Sequence, residues 1–379
     1  MTLDEVCDLI VDCPHSTAED EGEGYPLIRT PNIGKGYFLL EGVHRVSEEV
    51  YNIRNRRAIP QDDDLILARE APAGNVAIIK NGEKYCLGQR TVLIRPNKDL
   101  VDPDFLTYYL LAPRQQHNML KTENGSTASH VNMPIIRGLD ISLPKDKNTQ
   151  KKIGRILSQY DELIAVNRKK VQILEEMVMR TYCEWFVYMR FPGYKTTPKE
   201  NELPLDWEYD SLSKLGVFKR GENITIDDAA GGDIPVVAGG LTPSCYHNES
   251  NTQAPVITVS ASGANAGFTR MYFENVWAAD CSFLDSKCPH LFYLYCFMKT
   301  YKESVDNLQK GSAQPHVYAK DINNLQILIP SKDVAKSFEK AVQPFFNEIN
   351  TCQQKIKKLQ QMRDKLLPQL MNGKLEVKV

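Results

Sequence analysis

The chain has 379 residues, 42% hydrophobic and 25% charged, with a formal net charge of −2. That length allows two cores, and no apolar run approaches the roughly 20 residues a membrane helix needs. Mild acidity argues against a free-standing nucleic-acid binder. It leaves room for one that meets DNA beside partner subunits, because local basic surface governs affinity.

The opening MTLDEVCDLIVDC is acidic and has no basic n-region, which speaks against a signal peptide and for a cytoplasmic protein. Four short β-like runs follow: YPLIRT (25–30), DLILARE (64–70), NVAIIKNGEKY (75–85) and QRTVLIRP (89–96). NGE at 81–83 has the turn chemistry of a hairpin. PDFLTYYLLA (103–112) reads as a short helix.

GSTASHVNMPIIRGLDISLP (125–144) then begins a passage that recurs as GSAQPHVYAKDINNLQILIP (311–330), without a gap and 186 residues on. His130 meets His316, Leu139 meets Leu325 and Pro144 meets Pro330. Beyond it the spacing is 185, and KVQILEEM (170–177) meets KIKKLQQM (355–362). Two similar domains, each followed by a helix, are expected rather than a solenoid, which needs several short repeats.

The first helix carries Ile153, Leu157, Tyr160, Ile164, Asn167, Val171, Leu174, Val178, Thr181 and Trp185 at alternating spacings of four and three. Phe338, Val342, Phe345, Ile349, Cys352, Ile356, Leu359, Arg363, Leu366 and Leu370 occupy the same phases in the second. Such narrow seams predict two helices packed on each other. A twofold relation between two domain–helix units makes them antiparallel. Asn167 and Cys352 then meet at mid-seam, where the Asn either fixes register or reaches water from the seam edge. Pro344 is expected to kink the second helix or delay its start.

After FPGYKTTPKENE, a linker, LPLDWEYDSL (203–212) opens the second copy. IPVVAGG (234–240), PVITVSASG (255–263) and GFTRMYF (267–273) are its strand candidates, and PHLFYLYCFM (289–298) its short helix. The fold class expected is α+β: two strand-rich domains and two long helices forming an antiparallel coiled coil with pseudo-twofold symmetry. The domains are placed at 1–147 and 203–330, the helices at 148–190 and 331–379, and the linker at 191–202. Cys281, Cys288, His290 and Cys296 match no zinc-ligand spacing, and none of the nine cysteines forms a CxxC, so no metal is expected.

The plan and its motifs resemble a known family, the DNA-specificity subunits of type I restriction–modification systems. LPLDWEYDSL, GSAQPHVYAKDINNLQILIP, GSTASHVN…LDISLP, EEMVMRTYCEWFV and KLLPQLMNGKLEV are similar to the family's motifs, over nearly the whole chain. The first domain begins at MTLDEV without an LPxxW-like lead, and GSTASHV lacks the counterpart of Gln314. The resemblance implies a scaffold for double-stranded DNA with no chemistry of its own. Each domain would read half of a bipartite site, while the helices set the gap and dock two methyltransferase subunits. S-adenosylmethionine would bind those partners and not this chain, and ATP-driven restriction subunits would join the complex.

The residues agree with a non-catalytic chain. There is no G-x-x-x-x-G-K-[ST] loop for a nucleotide and no [ND]-P-P-[YF] methyltransferase tetrapeptide. Ser126/His130 and Ser312/His316 lack a carboxylate at matching nearby positions, which an acyl-transfer triad requires. Base reading from a sheet scaffold falls to polar loop residues. In the first domain these are Arg29, Asn32, Lys35, Arg69, Asn75, Gln89, Arg90, Ser126, Ser129 and His130. In the second they are Lys219, Arg220, Ser260, Ser262, Asn265, Ser282, Ser312, Gln314 and His316. Lys355, Lys357, Lys358, Arg363 and Lys365 face DNA, partner acids or solvent. The rival function is a coiled-coil assembly scaffold without direct DNA reading, which leaves two strand-rich domains without a task.

Overall fold

The repeated segments LDISLP and LQILIP do one job twice: each ties the end of a domain to its first residues. The structure is a computed structural model and describes residues 1–121, 130–200, 202–229, 231–311 and 314–377. In it the Leu3 N–H donates to the Leu139 carbonyl at 2.9 Å, and the Leu212 N–H to the Leu325 carbonyl at 2.8 Å. In the second copy this becomes an antiparallel ladder of Glu208–Ser211 with Gln326–Ile329. In the first it is a single bridge between Thr2 and Asp140.

The chain forms two compact units, Met1–Asn167 with Lys355–Val379, and Arg168–Gln354. Each unit takes part of both long helices, so the units do not follow the boundaries expected from the sequence.

In the first unit a four-stranded antiparallel sheet runs in the order Cys7–Asp12, Thr91–Pro96, Leu65–Ala68, Val76–Ile78. A smaller sheet has Tyr25–Ile28 between Arg45–Val46, antiparallel, and Cys86–Leu87, parallel. The second unit repeats this strand for strand. Its larger sheet is Lys219–Arg220, Cys281–Leu284, Val256–Ser260, Thr269–Tyr272. Its smaller one has Ile234–Val237 between Cys245–His247, antiparallel, and Trp277–Ala278, parallel. The central strands LILA and VITVS are buried along their whole length, hence their unbroken runs without charge.

One strand here is not singled out by the sequence pattern, and one expectation changes. Cys7–Asp12 is a strand, although its short apolar core LIV is framed by acidic residues. NGE is a turn but closes no hairpin: Asn81 and Gly82 take φ of +60° and +69°, while the strands on either side belong to different sheets. Turn chemistry fixes the local bend, and tertiary pairing decides what the bend joins.

The long helices are Lys147–Tyr182 and Lys332–Met371. Pro344 does not delay the second helix, which starts at Lys332. The proline lies on the exposed face, where water can satisfy the carbonyl it leaves without a partner. Within each unit the two helices run antiparallel. In the first, Ile153 and Leu157 share a core with Leu367 and Leu370, and Asp161 pairs with Arg363. In the second, Val178, Tyr182 and Phe186 share one with Phe338, Val342, Phe346 and Ile349, and Lys170 pairs with Glu348.

Of the seam positions, Leu157, Ile164, Val178, Ile349 and Cys352 are buried, and Val171, Leu174, Ile356, Leu359 and Leu366 are half-buried. Asn167 is half-buried, and its amide donates to the Leu163 carbonyl of its own helix. Towards the ends the buried stripe moves by one residue, to Tyr182 and Phe186 in place of Thr181 and Trp185, and to Phe346 and Leu367 in place of Phe345 and Leu366. There the helices pack on strand-rich cores as well as on each other, which widens the buried face.

Equivalent positions of the two units carry different chemistry. In the first unit Asp102 caps the helix Pro103–Leu111 by accepting from the Phe105 N–H at 2.9 Å. Gly154 of the long helix lies against that cap, and a Cβ there would stand 2.7 Å from the Phe105 nitrogen. In the second unit His290 provides no side-chain cap to Leu291–Thr300. Glu339, 185 residues beyond Gly154, supplies it by accepting from the N–H groups of Phe292 and Tyr293 at 3.3 and 2.8 Å. Likewise Asp161 and Arg363 correspond, at the same spacing, to Phe346 and Val178. Arg363 was expected on an outward basic flank. It is instead buried, pairing with Asp161 and donating to the Lys35 carbonyl at 3.1 Å. The Tyr108 hydroxyl donates to the other Asp161 oxygen at 2.6 Å.

Two predictions follow from these contacts. Burial pushes the Glu339 carboxyl up to about 7, against the pull of its two N–H donors. A carboxyl raised in the folded state favours the fold below its unfolded value, and that advantage is lost as pH rises through about 7. Thermal unfolding should therefore show Glu339→Gln gaining on the parent chain by about 1–2 kcal/mol between pH 5 and pH 8; a constant difference would rule out this assignment. Arg363→Met strands a buried carboxylate and should cost about 3–5 kcal/mol in denaturant unfolding. Adding Asp161→Leu should restore a large part of that loss, whereas additive effects would mean that the pair is not coupled.

Candidate nucleic-acid interface

At one edge of each larger sheet, the end of the central strand, the start of its neighbour and the segment after the repeated histidine come together through backbone bonds. In the first unit the Val131 N–H donates to the Arg69 carbonyl at 2.8 Å, and the Arg69 N–H to the Arg90 carbonyl at 2.9 Å. In the second the Val317 N–H donates to the Ala261 carbonyl at 3.0 Å, and the Ala261 N–H to the Asp280 carbonyl at 3.1 Å. Antiparallel bridges join Glu70 to His130 and Ser262 to His316. The frame is thus one frame, and it aligns Arg69 with Ala261, Glu70 with Ser262, Arg90 with Asp280 and His130 with His316.

The side chains on this frame differ. Arg69 is buried and fully occupied: Nε donates to the Val131 carbonyl at 2.9 Å, Nη1 meets Asp12 at 2.6 Å and Nη2 meets the His130 Nε2 at 2.9 Å. Glu70 stands 3.3 Å from the Arg90 Nε and 3.4 Å from the His130 Nδ1. A carboxylate therefore does lie beside His130, contributed by a strand remote in sequence. Its counterpart beside His316 is Ser262, so no such arrangement is common to both units.

A cleft of about 250 Å³ opens next to this cluster, lined by Thr17, Arg29, Glu70, Gln89 and Arg90 among others. The Arg29 Nε makes no hydrogen bond among the described residues, and the Gln89 amide oxygen accepts from the Thr17 hydroxyl at 3.2 Å. Guanidinium and amide groups around a cleft suit phosphate oxygens and base edges.

In the second unit Asp280 holds the centre. The Ser262 hydroxyl donates to it, and Arg220 stands 3.4 Å away. The Asn265 amide donates to the Gly239 carbonyl at 3.3 Å. Lys219 and Gln314 are exposed, and the His316 ring stacks with Tyr318. Gly311, at φ +96°, makes the turn before it, where a Cβ would press on the Gln314 carbonyl at 2.9 Å.

Several candidate readers are structural instead. Asn32 is buried, accepting from the Arg29 N–H and donating to the Leu39 carbonyl. The Asn75 amide donates to the Ile33 carbonyl. Ser260 is buried and donates to the Gly239 carbonyl, and Ser282 is buried within its strand. Arg69 joins this group. Lys35 is exposed, away from the histidine edge, with its carbonyl held by Arg363. Ser126, Ser129 and Ser312 lie outside the described residues.

Thr17, Glu70 and Asp280 also belong to this edge, although the sequence does not single them out; Glu70 and Asp280 offer only acceptors, whereas every expected reader carries a donor. No sequence signal aligns Glu70 with Ser262, because the two copies differ in loop length between the strands. No group of three or more His, Cys, Asp or Glu residues among those described is arranged to hold a metal, and no helix there is long and apolar enough to cross a membrane.

Residues 1–176 and 204–361 match the type I restriction modification DNA specificity domain family. The type I restriction enzyme MjaIX specificity subunit of Methanocaldococcus jannaschii is 26% identical over 375 aligned positions, covering 90% of this chain and 84% of that one. The HindI specificity subunit of Haemophilus influenzae is 21% identical, covering 86% and 90%. The crystal structure of a type I restriction–modification S subunit from M. genitalium shares the fold, with a TM-score of 0.58 at 15% identity over 98% of this chain and 95% of that one. With the specificity-domain match present twice, on two copies of one strand order, the chain belongs to the type I restriction–modification DNA specificity family as a non-catalytic specificity subunit.

Proposed function

We propose that each unit reads one half of a bipartite double-stranded DNA site, and that the long helices set the gap between the halves. The observation carrying this is the shared edge: equivalent backbone bonds present Glu70 and Arg90 in one unit, and Ser262 and Asp280 in the other. A scaffold that only held partners together would have no use for one frame dressed with two sets of polar groups.

The helices also serve as the docking surface for two methyltransferase subunits. Leu163 and Val166 in the first unit, and Ile173 and Met177 in the second, are large apolar residues left exposed on the first long helix. Such exposure supports a protein partner. S-adenosylmethionine belongs to those partners, and ATP-driven restriction subunits complete the assembly.

The complex with its methyltransferase should protect a split site with an unspecified gap, and its affinity should fall steeply with salt. Replacing residues 203–330 by those of another family member should change one half-site and spare the other, as read from methylated positions. Altered halves on both sides would reject modular reading. Seven residues added to each helix lengthen it by about 10 Å, so the gap should grow by about three base pairs; an unchanged gap would reject the spacer role.

A further inference from the structure

The frame that fixes Arg90 in the first unit fixes Asp280 in the second, so one position carries opposite charges in the two readers. Neither side chain is spent on holding the fold. Their backbones make the frame bonds, and their side chains remain 35% and 29% exposed. Each is steadied by neighbours on its own edge. Glu70 lies 3.3 Å from the Arg90 Nε, and His130 backs Glu70 at 3.4 Å. Arg220, 3.4 Å away, and the Ser262 hydroxyl flank Asp280.

Arg90 carries a second mark. Its φ is +62°, a conformation that favours glycine over a residue with a Cβ. Strained backbone at a side chain that packs no core is characteristic of positions kept for what the side chain does.

We infer that Arg90 and Asp280 are corresponding base-specifying residues, and that they select bases of opposite hydrogen-bonding polarity. This rests on the bipartite reading above. Arg90 offers only donors, in a fork that matches the O6 and N7 acceptors of guanine in the major groove. Asp280 offers only acceptors, which match the exocyclic amine of cytosine. Glu70, Ser262 and Arg220 are positioning residues, which aim these two groups without touching the base.

The test uses the full chain in complex with its methyltransferase partners and a library of split sites randomised in both halves. Arg90→Gln should relax selection at one base pair of one half-site, by roughly tenfold or more, leaving the other half unchanged. Asp280→Asn should do the same in the opposite half only. Arg90→Gly should lose the same base preference while its melting temperature holds or rises, since glycine relieves the backbone; a merely structural ion pair would lower it. Uniformly weaker binding to every sequence, or a change in the same half from both variants, would overturn the assignment. A parent complex that selects no split site would instead defeat the bipartite reading on which the assignment rests.

Discussion

The bond from the Val131 N–H to the Arg69 carbonyl, with its twin from Val317 to Ala261, is the constraint on which the rest of the structure depends. It ties the segment that leads into each long helix to the far end of the central strand. With the closing bonds of Leu3 to Leu139 and Leu212 to Leu325, it turns a linear repeat into two units of one topology. Every one of these bonds is backbone to backbone. The fold is therefore indifferent to the side chains it holds at the edge, provided that they are not Pro in place of a donor.

Symmetry of backbone has not required symmetry of chemistry. Where the long helices meet in the first unit, a buried guanidinium and carboxylate are satisfied by each other, by Tyr108 and by the Lys35 carbonyl. Burial lifts the Tyr108 hydroxyl well above the ordinary tyrosine range beside the charge on Asp161, so it stays protonated and donates. The corresponding pair in the second unit is Phe346 and Val178, in an apolar core where the Phe346 ring stacks on Phe292 and meets the rings of Phe273 and Tyr295. A buried ion pair gains little over an apolar pair in stability. Its value lies in what it rejects: any slip of helix register removes the countercharge of Arg363 and leaves it buried alone. The apolar pair tolerates slippage better, and the second unit pins its register elsewhere, through Glu339 on the Phe292 and Tyr293 N–H groups.

Much of this was legible in the sequence because burial writes itself as periodicity. LILA and VITVS announce buried strands, PDFLTYYLLA announces a helix, and the four–three spacing announces the helix pairing before any coordinates. What stayed hidden depends on tertiary neighbours. Arg363 sits at a seam phase, yet its type suggested solvent; only the approach of Asp161 from the other helix makes burial affordable. Asn81 and Gly82 specify a turn and say nothing about which sheet receives the chain afterwards. Ser282 and Arg69 have the chemistry of base readers but point into their own unit. Glu70 and Asp280 escaped because their equivalence is carried by hydrogen bonds between strands separated by loops of different length.

On the bipartite reading proposed above, the same separation would let a duplicated chain read two different sequences. A reader embedded in a core cannot change without repacking, since interiors resist changes of even one methylene. At this edge the positions equivalent to 70 and 90 project beyond the frame that fixes them, so a carboxylate can become a hydroxyl and a guanidinium a carboxylate with the ladder intact. Each exchange needs only a local partner, Glu70 for Arg90 and Arg220 for Asp280, drawn from the same few residues. Arg69 shows the limit of that freedom. Its three contacts to Val131, Asp12 and His130 make it part of the frame in one unit, whereas Ala261 leaves the other unit's frame to its backbone alone. Side chains at this edge can therefore differ between the copies wherever the backbone bonds alone suffice to hold the frame, as they do at Ala261.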